Sequence, residues 1–135
     1  MITAVDANVL IDLSVEDPSR AKPAVQALEA CATEGRLVVC EIVLAEFARG
    51  FPAGLDPAEW VRDVGIDYDP IREETAVEAG RIQARYEDRA HRRVRRLVAD
   101  LLVGAHALLQ ADRLLTRDRG FYRDYFRGLK VIEPA

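Results

Sequence analysis

The sequence predicts an α/β fold of three layers, a short parallel sheet flanked by helices, and three observations carry that expectation. Apolar runs of strand length such as Leu37-Val38-Val39-Cys40 have no polar alternation, which suits a parallel strand covered on both faces. Stretches of helical period separate these runs. The alternation of short apolar strands with helices implies parallel pairing through right-handed crossovers. A chain of 135 residues, 50% of them hydrophobic, supports one packed core, so residues 1–135 are read as a single domain.

Ile2, Ala4 and Val5 form the first strand, and Asp6 arrives where that strand would leave the core. An unpaired buried carboxylate is costly, so Asp6 should meet solvent, a hydrogen-bond donor or a cation. Asn8 to Leu13 reads as a short helical turn. Asp17-Pro18 then starts a helix to about Thr33, with Ala21, Ala24, Val25, Leu28 and Cys31 on its apolar face, and Gly35 ends it. After the Leu37–Cys40 strand, Glu41 to Arg49 is helical and stops at Gly50 and Pro52. Asp56-Pro57-Ala58-Glu59 places an N-cap acid, a first-turn proline and a further acid before a helix through Trp60 and Val64. Ile66-Asp67-Tyr68 is a short strand. Asp69-Pro70 repeats the cap-and-proline start for a long helix with Ile71, Thr75, Ala79, Ile82 and Tyr86 on one face. A loop near His91 to Arg96 leads into a buried helix, Leu97 to Ala111. Arg113 to Thr116 is a strand ending at Arg117-Asp118, Arg119 to Phe126 makes one or two helical turns, and Leu129 to Ile132 is the last strand.

Charge and composition narrow the function. The 19 Lys plus Arg against 23 Asp plus Glu give a net charge of -4, so no global attraction to nucleic acid or anionic membrane is expected, and any polyanion site must be local. Cys31 and Cys40 form neither a CxxC pair nor a Cys/His cluster, which points to a reducing compartment, core packing and no zinc. The chain shows no basic leader segment and no apolar stretch near 18 residues. A cytoplasmic location without membrane partners is the expectation.

Most of the acids have ordinary work. Asp17, Asp56 and Asp69 are read as N-caps; Glu73, Glu74, Glu78, Glu87 and Asp88 as the solvated face of a long helix; and Asp12 as an ordinary helix acid. Four resist that treatment. Asp6 and Asp118 follow strands, Glu46 interrupts the apolar run Ile42 to Phe47, and Asp100 sits among Leu97, Val98, Leu101 and Leu102. Strand ends and the first turns of returning helices, where Glu46 and Asp100 are placed, share the carboxyl edge of a parallel sheet, so all four can converge. Converging carboxylates repel unless a cation neutralises them, and oxygen-only ligation favours Mg²⁺ or Mn²⁺ over zinc. Such a cation suits hydrolysis of a phosphodiester by activated water.

Four blocks then resemble a known family: Asp6-Ala7-Asn8-Val9-Leu10-Ile11-Asp12-Leu13, Leu44-Ala45-Glu46-Phe47, Asp100 to Ala107, and Leu114 to Phe121. In order and spacing they are similar to the blocks of PIN-domain ribonucleases, whose small bacterial members are mostly VapC-type toxins of toxin–antitoxin pairs. The resemblance implies a parallel five-stranded sheet between helices, Mg²⁺- or Mn²⁺-dependent endoribonuclease activity on RNA, a homodimer, and a cognate antitoxin protein that blocks the site. Carried over by position, Asp6, Glu46, Asp100 and Asp118 are the acidic metal-site residues, and Asn8 and Thr116 orient carboxylates or water. Glu41 lies outside the site.

The arginines offer a way to hold RNA beside acids. Arg81, Arg85 and Arg89 form an i, i+4 stripe, and Arg92, Arg93, Arg95 and Arg96 follow it toward Asp100. One reading is a solvated face balanced by Glu87 and Asp88. The other is a cationic rim for phosphates, in which Arg96 and the Arg117 and Arg119 that flank Asp118 are the placed members. Phe121, Tyr122, Tyr125 and Phe126 either stack on unpaired bases or pack the last strand and helix. Other functional readings stay open: a housekeeping RNA-processing nuclease, or a non-catalytic module whose acids bind an Arg-rich protein. The Asp6-Ala7-Asn8 opening also resembles haloacid-dehalogenase phosphohydrolases. Their chemistry uses a lysine near the site, and neither Lys22 nor Lys130 is well placed for that.

Overall fold

Cap chemistry and apolar runs place most of the elements where the sequence predicts them. The computed structural model describes residues 1–91 and 98–135, so the readings at Arg92, Arg93, Arg95, Arg96 and Leu97 lie outside the described residues. In chain order the elements are β1 (Ile2–Val5), α1 (Ala7–Ser14), α2 (Pro18–Glu34), β2 (Arg36–Val39), α3 (Glu41–Arg49), α4 (Pro57–Asp63), β3 (Ile66–Tyr68), α5 (Glu73–Ala90), α6 (Ala99–Gln110), β4 (Arg113–Leu115), α7 (Arg119–Tyr125) and β5 (Val131–Ile132). Asp17 and Asp56 cap α2 and α4 as expected, accepting the backbone N–H groups of Ser19 and Ala58.

Asp69 does not cap α5. The helix begins at Glu73 behind an Arg72 N-cap, and the Asp69 carboxylate instead meets His106 Nε2 at 3.0 Å and accepts Gln110 Nε2 at 3.1 Å. Gln110 Oε1 in turn accepts the Arg72 N–H and the Thr75 hydroxyl. These contacts lock the start of α5 onto buried positions of α6, and the tertiary partners displace the local cap that a proline-preceding acid would otherwise make. Glu41 has a comparable task, because its Oε1 accepts the Ile71 N–H at 2.9 Å.

All strand pairs are parallel, and the sheet order is β3-β2-β1-β4-β5. Ala4 lies opposite both Val38 and Leu114, which makes β1 the central strand. The chain steps outward from β1 through β2 to β3, then returns to the other side of β1 for β4 and β5. That reversal opens a crevice at the carboxyl ends of β1 and β4, the position where parallel sheets bind ligands.

Val5, Val38, Val39, Leu114 and Leu115 are almost wholly removed from solvent between the covering helices. Burial of this kind supplies about 1.5–3 kcal/mol for each such side chain. Cys31 and Cys40 belong to the same core, and burial pushes the Cys40 thiol up to about 11. Close packing is sharpest at Gly104 of α6, where a Cβ would stand 2.2 Å from the Phe126 ring. Among the described residues no helix is long and apolar enough to cross a membrane.

Candidate active site

β1 ends at Val5, and the next residue, Asp6, is 5% exposed at the crevice between β1 and β4. Its carboxylate is divided between two tasks. Oδ1 accepts the Ala7 N–H at 2.7 Å and so caps α1, while Oδ2 accepts the Thr116 hydroxyl at 2.8 Å, the Tyr122 hydroxyl at 3.1 Å and Asn8 Nδ2 at 3.4 Å. Three donors crowd Oδ2, which leaves Oδ1 as the oxygen with spare acceptor capacity.

Asn8 and Thr116 join α1 to the loop after β4. Asn8 Nδ2 donates to Thr116 Oγ1 at 3.1 Å, and Asn8 Oδ1 accepts the Arg117 N–H at 3.1 Å. Thr116 Oγ1 also accepts the Asp118 N–H at 3.0 Å. Asp118 occupies the N-cap position of α7, yet its side chain makes no capping bond and is exposed at the mouth of the crevice. Asp100 sits in the first turn of α6, as expected. Glu46 lies in the second turn of α3 rather than the first, because the helix already starts at Glu41.

The charges of these acids act on one another. Burial raises the Asp100 pKa above its ordinary value, and the charges of Asp6 and Asp118 raise it further. Glu46 is raised by desolvation, then by Asp100 and Asp6, with Arg49 opposing. For Asp6, desolvation outweighs the donors Thr116, Ala7 and Tyr122, and Asp118 adds to the rise. The structure thus brings all four acids within electrostatic reach at one edge of the sheet. Among the described residues, no three acids are already drawn together into a preformed cation cage. The donor set is nevertheless all oxygen and carries mutual repulsion that a divalent cation would relieve, which fits Mg²⁺ or Mn²⁺.

Two residues at the site have other work in the sequence reading, Tyr122 as a stacking or packing ring and Asp12 as an ordinary helix acid. Tyr122 is 1% exposed, and burial, followed by the charges of Asp6 and Asp100, pushes its phenol far above the ordinary value, so it stays a donor to Asp6. Its spacing of four from Asp118 on α7 was the available signal. Asp12 is the other, a buried acid held by tertiary partners rather than an ordinary helix acid. It pairs with Arg20 and with Arg117, so the Arg117 guanidinium is turned onto α1. Arg119 Nε stands 3.9 Å from Glu133. Arg85 pairs with Glu78 on its own helix. Phe121 and Tyr125 stack with centroids 4.6 Å apart, Tyr125 lies against Tyr86 at 4.2 Å, and Phe126 is buried, so these rings serve packing.

Residues 3–126 match the family model of the PIN domain. The chain belongs to the PIN-domain family. Among curated proteins, no sequence matches it. Solved structures share the PIN fold at low identity. A chain in the structure of VapBC2 from Rickettsia felis, bound to a DNA fragment from their promoter, superposes with a TM-score of 0.72 at 16% identity, covering 98% of each chain. VapBC-1 from nontypeable Haemophilus influenzae gives 0.68 at 22% identity, again over 98% of each chain. VapC20 from Mycobacterium tuberculosis, a Sarcin-Ricin loop cleaving toxin, gives 0.63 at 14% identity over 95% of this chain and 98% of its own. The five-stranded parallel sheet between helices is therefore the PIN architecture, and the crevice between β1 and β4 is where this PIN domain gathers its acids.

Proposed function

We propose that this PIN domain is a divalent-metal-dependent endoribonuclease and the toxin of a type II toxin–antitoxin pair. The observation that carries the reading is the placement of Asp6, Glu46, Asp100 and Asp118 at the switch point of the sheet, where the charges of neighbouring acids disfavour ionisation of Asp6, Glu46 and Asp100. Asp6, Asp100, Asp118 and Glu46 would hold Mg²⁺ or Mn²⁺, which supplies positive charge to a scissile phosphate and acidifies the attacking water. Thr116 and Tyr122 favour the ionised form of Asp6 against its desolvation, and with Asn8 they aim it. Glu46, exposed at the same edge, would accept the proton that the attacking water gives up as the phosphodiester bond breaks.

RNA is the substrate the fold relatives favour, since VapC20 is a Sarcin-Ricin loop cleaving toxin. Arg119 is an exposed arginine next to Asp118 and is the described member of the rim offered to a phosphate, while the Arg96 reading lies outside the described residues. The VapBC neighbours also favour a protein antitoxin as partner. A groove of about 980 Å³ lined by Ile11, Phe47, Phe51, Leu55 and Trp60 opens beside Glu46. An antitoxin segment with apolar side chains and one cation directed at the acids matches that chemistry. A homodimer belongs to the same reading, and light scattering of the purified chain tests it.

The decisive experiment is cleavage of RNA with Mg²⁺, Mn²⁺ or EDTA. Cleavage is expected only with the metals, and Asp100→Asn should lower it about a hundredfold or more, the effect of losing an electrostatic contributor to the transition state. Metal-independent cleavage, or full activity in folded Asp100→Asn, overturns the proposal.

A further inference from the structure

A carboxylate with only 4% exposure is costly to hold unless other groups compensate it, and Asp12 is such a group. It sits one helical turn beyond Asn8, so both project from one face of α1. Two arginines from different parts of the chain meet on it. Arg20 of α2 gives Oδ1 its Nε at 3.1 Å and Nη2 at 2.8 Å. Arg117 places Nε on Oδ2 and Nη2 at 3.4 Å from Oδ1.

Arg117 lies between Thr116 and Asp118, in the short loop that completes the acidic edge. The backbone of that loop is tied to α1 through Asn8, which accepts the Arg117 N–H and donates to the Thr116 hydroxyl. The Asp12–Arg117 pair is the second tie, one turn further along the same helix. We infer that Asp12 is a positioning residue: by holding the Arg117 guanidinium against α1 it fixes the loop that presents Thr116 and Asp118 to the site. The inference deepens the nuclease reading and rests on it. It also removes Arg117 from the phosphate-binding rim, because the cation is engaged by an acid on the protein itself. Asp12 then acts through geometry alone, since its own oxygens are taken by the two guanidinium groups.

The test pairs amide hydrogen exchange of the metal-free protein with steady-state RNA cleavage in Mn²⁺, for Asp12→Asn, Arg117→Ala and the double variant. In Asp12→Asn, exchange at Arg117 and Asp118 should quicken about tenfold or more while the β1 and β4 amides stay protected. Cleavage should lose about ten- to a hundredfold in kcat with KM unchanged, as expected for a misplaced catalytic carboxylate. Arg117→Ala should match it, and the double variant should lose no more than either single one. Unchanged exchange at these two amides in folded Asp12→Asn overturns the inference. So does an Arg117→Ala variant that raises KM with kcat intact, the signature of a direct phosphate contact. If Asp12→Asn does not fold, Arg117→Gln carries both measurements. A wild-type chain that fails to cleave RNA overturns the nuclease reading instead, and the exchange result then decides the positioning role alone.

Discussion

Asp6 Oδ2 accepts Thr116, Tyr122 and Asn8 together, so its ionised form depends on side chains from three separate elements of the chain. Tyr122→Phe removes one donor and leaves the ring in place. Stability should fall by about 1–2 kcal/mol, readable in urea unfolding. The Tyr122 hydrogen bond lowers the Asp6 pKa, so its loss raises that pKa further and the acidic limb of a pH–rate profile should move to higher pH. A profile that stays put would separate Tyr122 from Asp6. At this scale the convergence of the four acids was legible because Asp6 and Asp118 follow apolar strands while Glu46 and Asp100 interrupt apolar helical stretches. Tyr122 was not, since a buried ring does not reveal where its hydroxyl points. Asp12 was hidden for another reason: it looks like an ordinary helix acid until Arg117, 105 positions away, is folded against it.

Elements were readable wherever local chemistry decides them. The Asp17-Pro18 and Asp56-Pro57 starts are helix starts because the cap bonds are made within three residues. The same pattern at Asp69-Pro70 misled, because His106 and Gln110 of α6 outcompete the local backbone for that carboxylate. Helix α6 is the element on which this matters most, since it carries Asp100 at one end and Gln110 at the other. Its close approach to Phe126 is made through Gly104, and Gly104→Ala should displace the ring at a cost of about 1–3 kcal/mol. Thermal unfolding of that variant checks the prediction, and a midpoint equal to the wild type would show that Phe126 gives way freely. The helical propensity gained by alanine opposes this loss but is smaller, about 1 kcal/mol.

For the whole molecule, the acidic crevice is a source of instability that binding can offset. Asp6, Glu46 and Asp100 all have folded-state pKa values raised above the ordinary 3.8 and 4.5. The folded chain therefore binds their protons more tightly than the unfolded chain does. Their stabilising contribution is fully present below about 3.8 and is lost as pH rises through the raised values. Metal-free Asp100→Asn should accordingly melt about 2–4 °C above wild type at pH 7, with the gain shrinking as pH falls toward 4. Mn²⁺ should raise the wild-type midpoint at pH 7 and do so less for the variant. Equal responses to Mn²⁺ would detach Asp100 from cation binding. The fold class was legible in full from alternating apolar and periodic stretches, whereas strand order needed the pairings themselves, which no local pattern encodes.

The central position of β1 has a temporal consequence. Asp6 precedes in the chain by 110 residues the Thr116 hydroxyl that holds it. The strand that completes the crevice, β4, is also the second neighbour of β1, so the acidic edge closes only once β4 and the residues after it have joined the sheet. Partial products ending before residue 116 therefore lack both the support of Asp6 and the fourth acid. The order of strands therefore makes the acidic edge one of the last parts of the fold to be assembled.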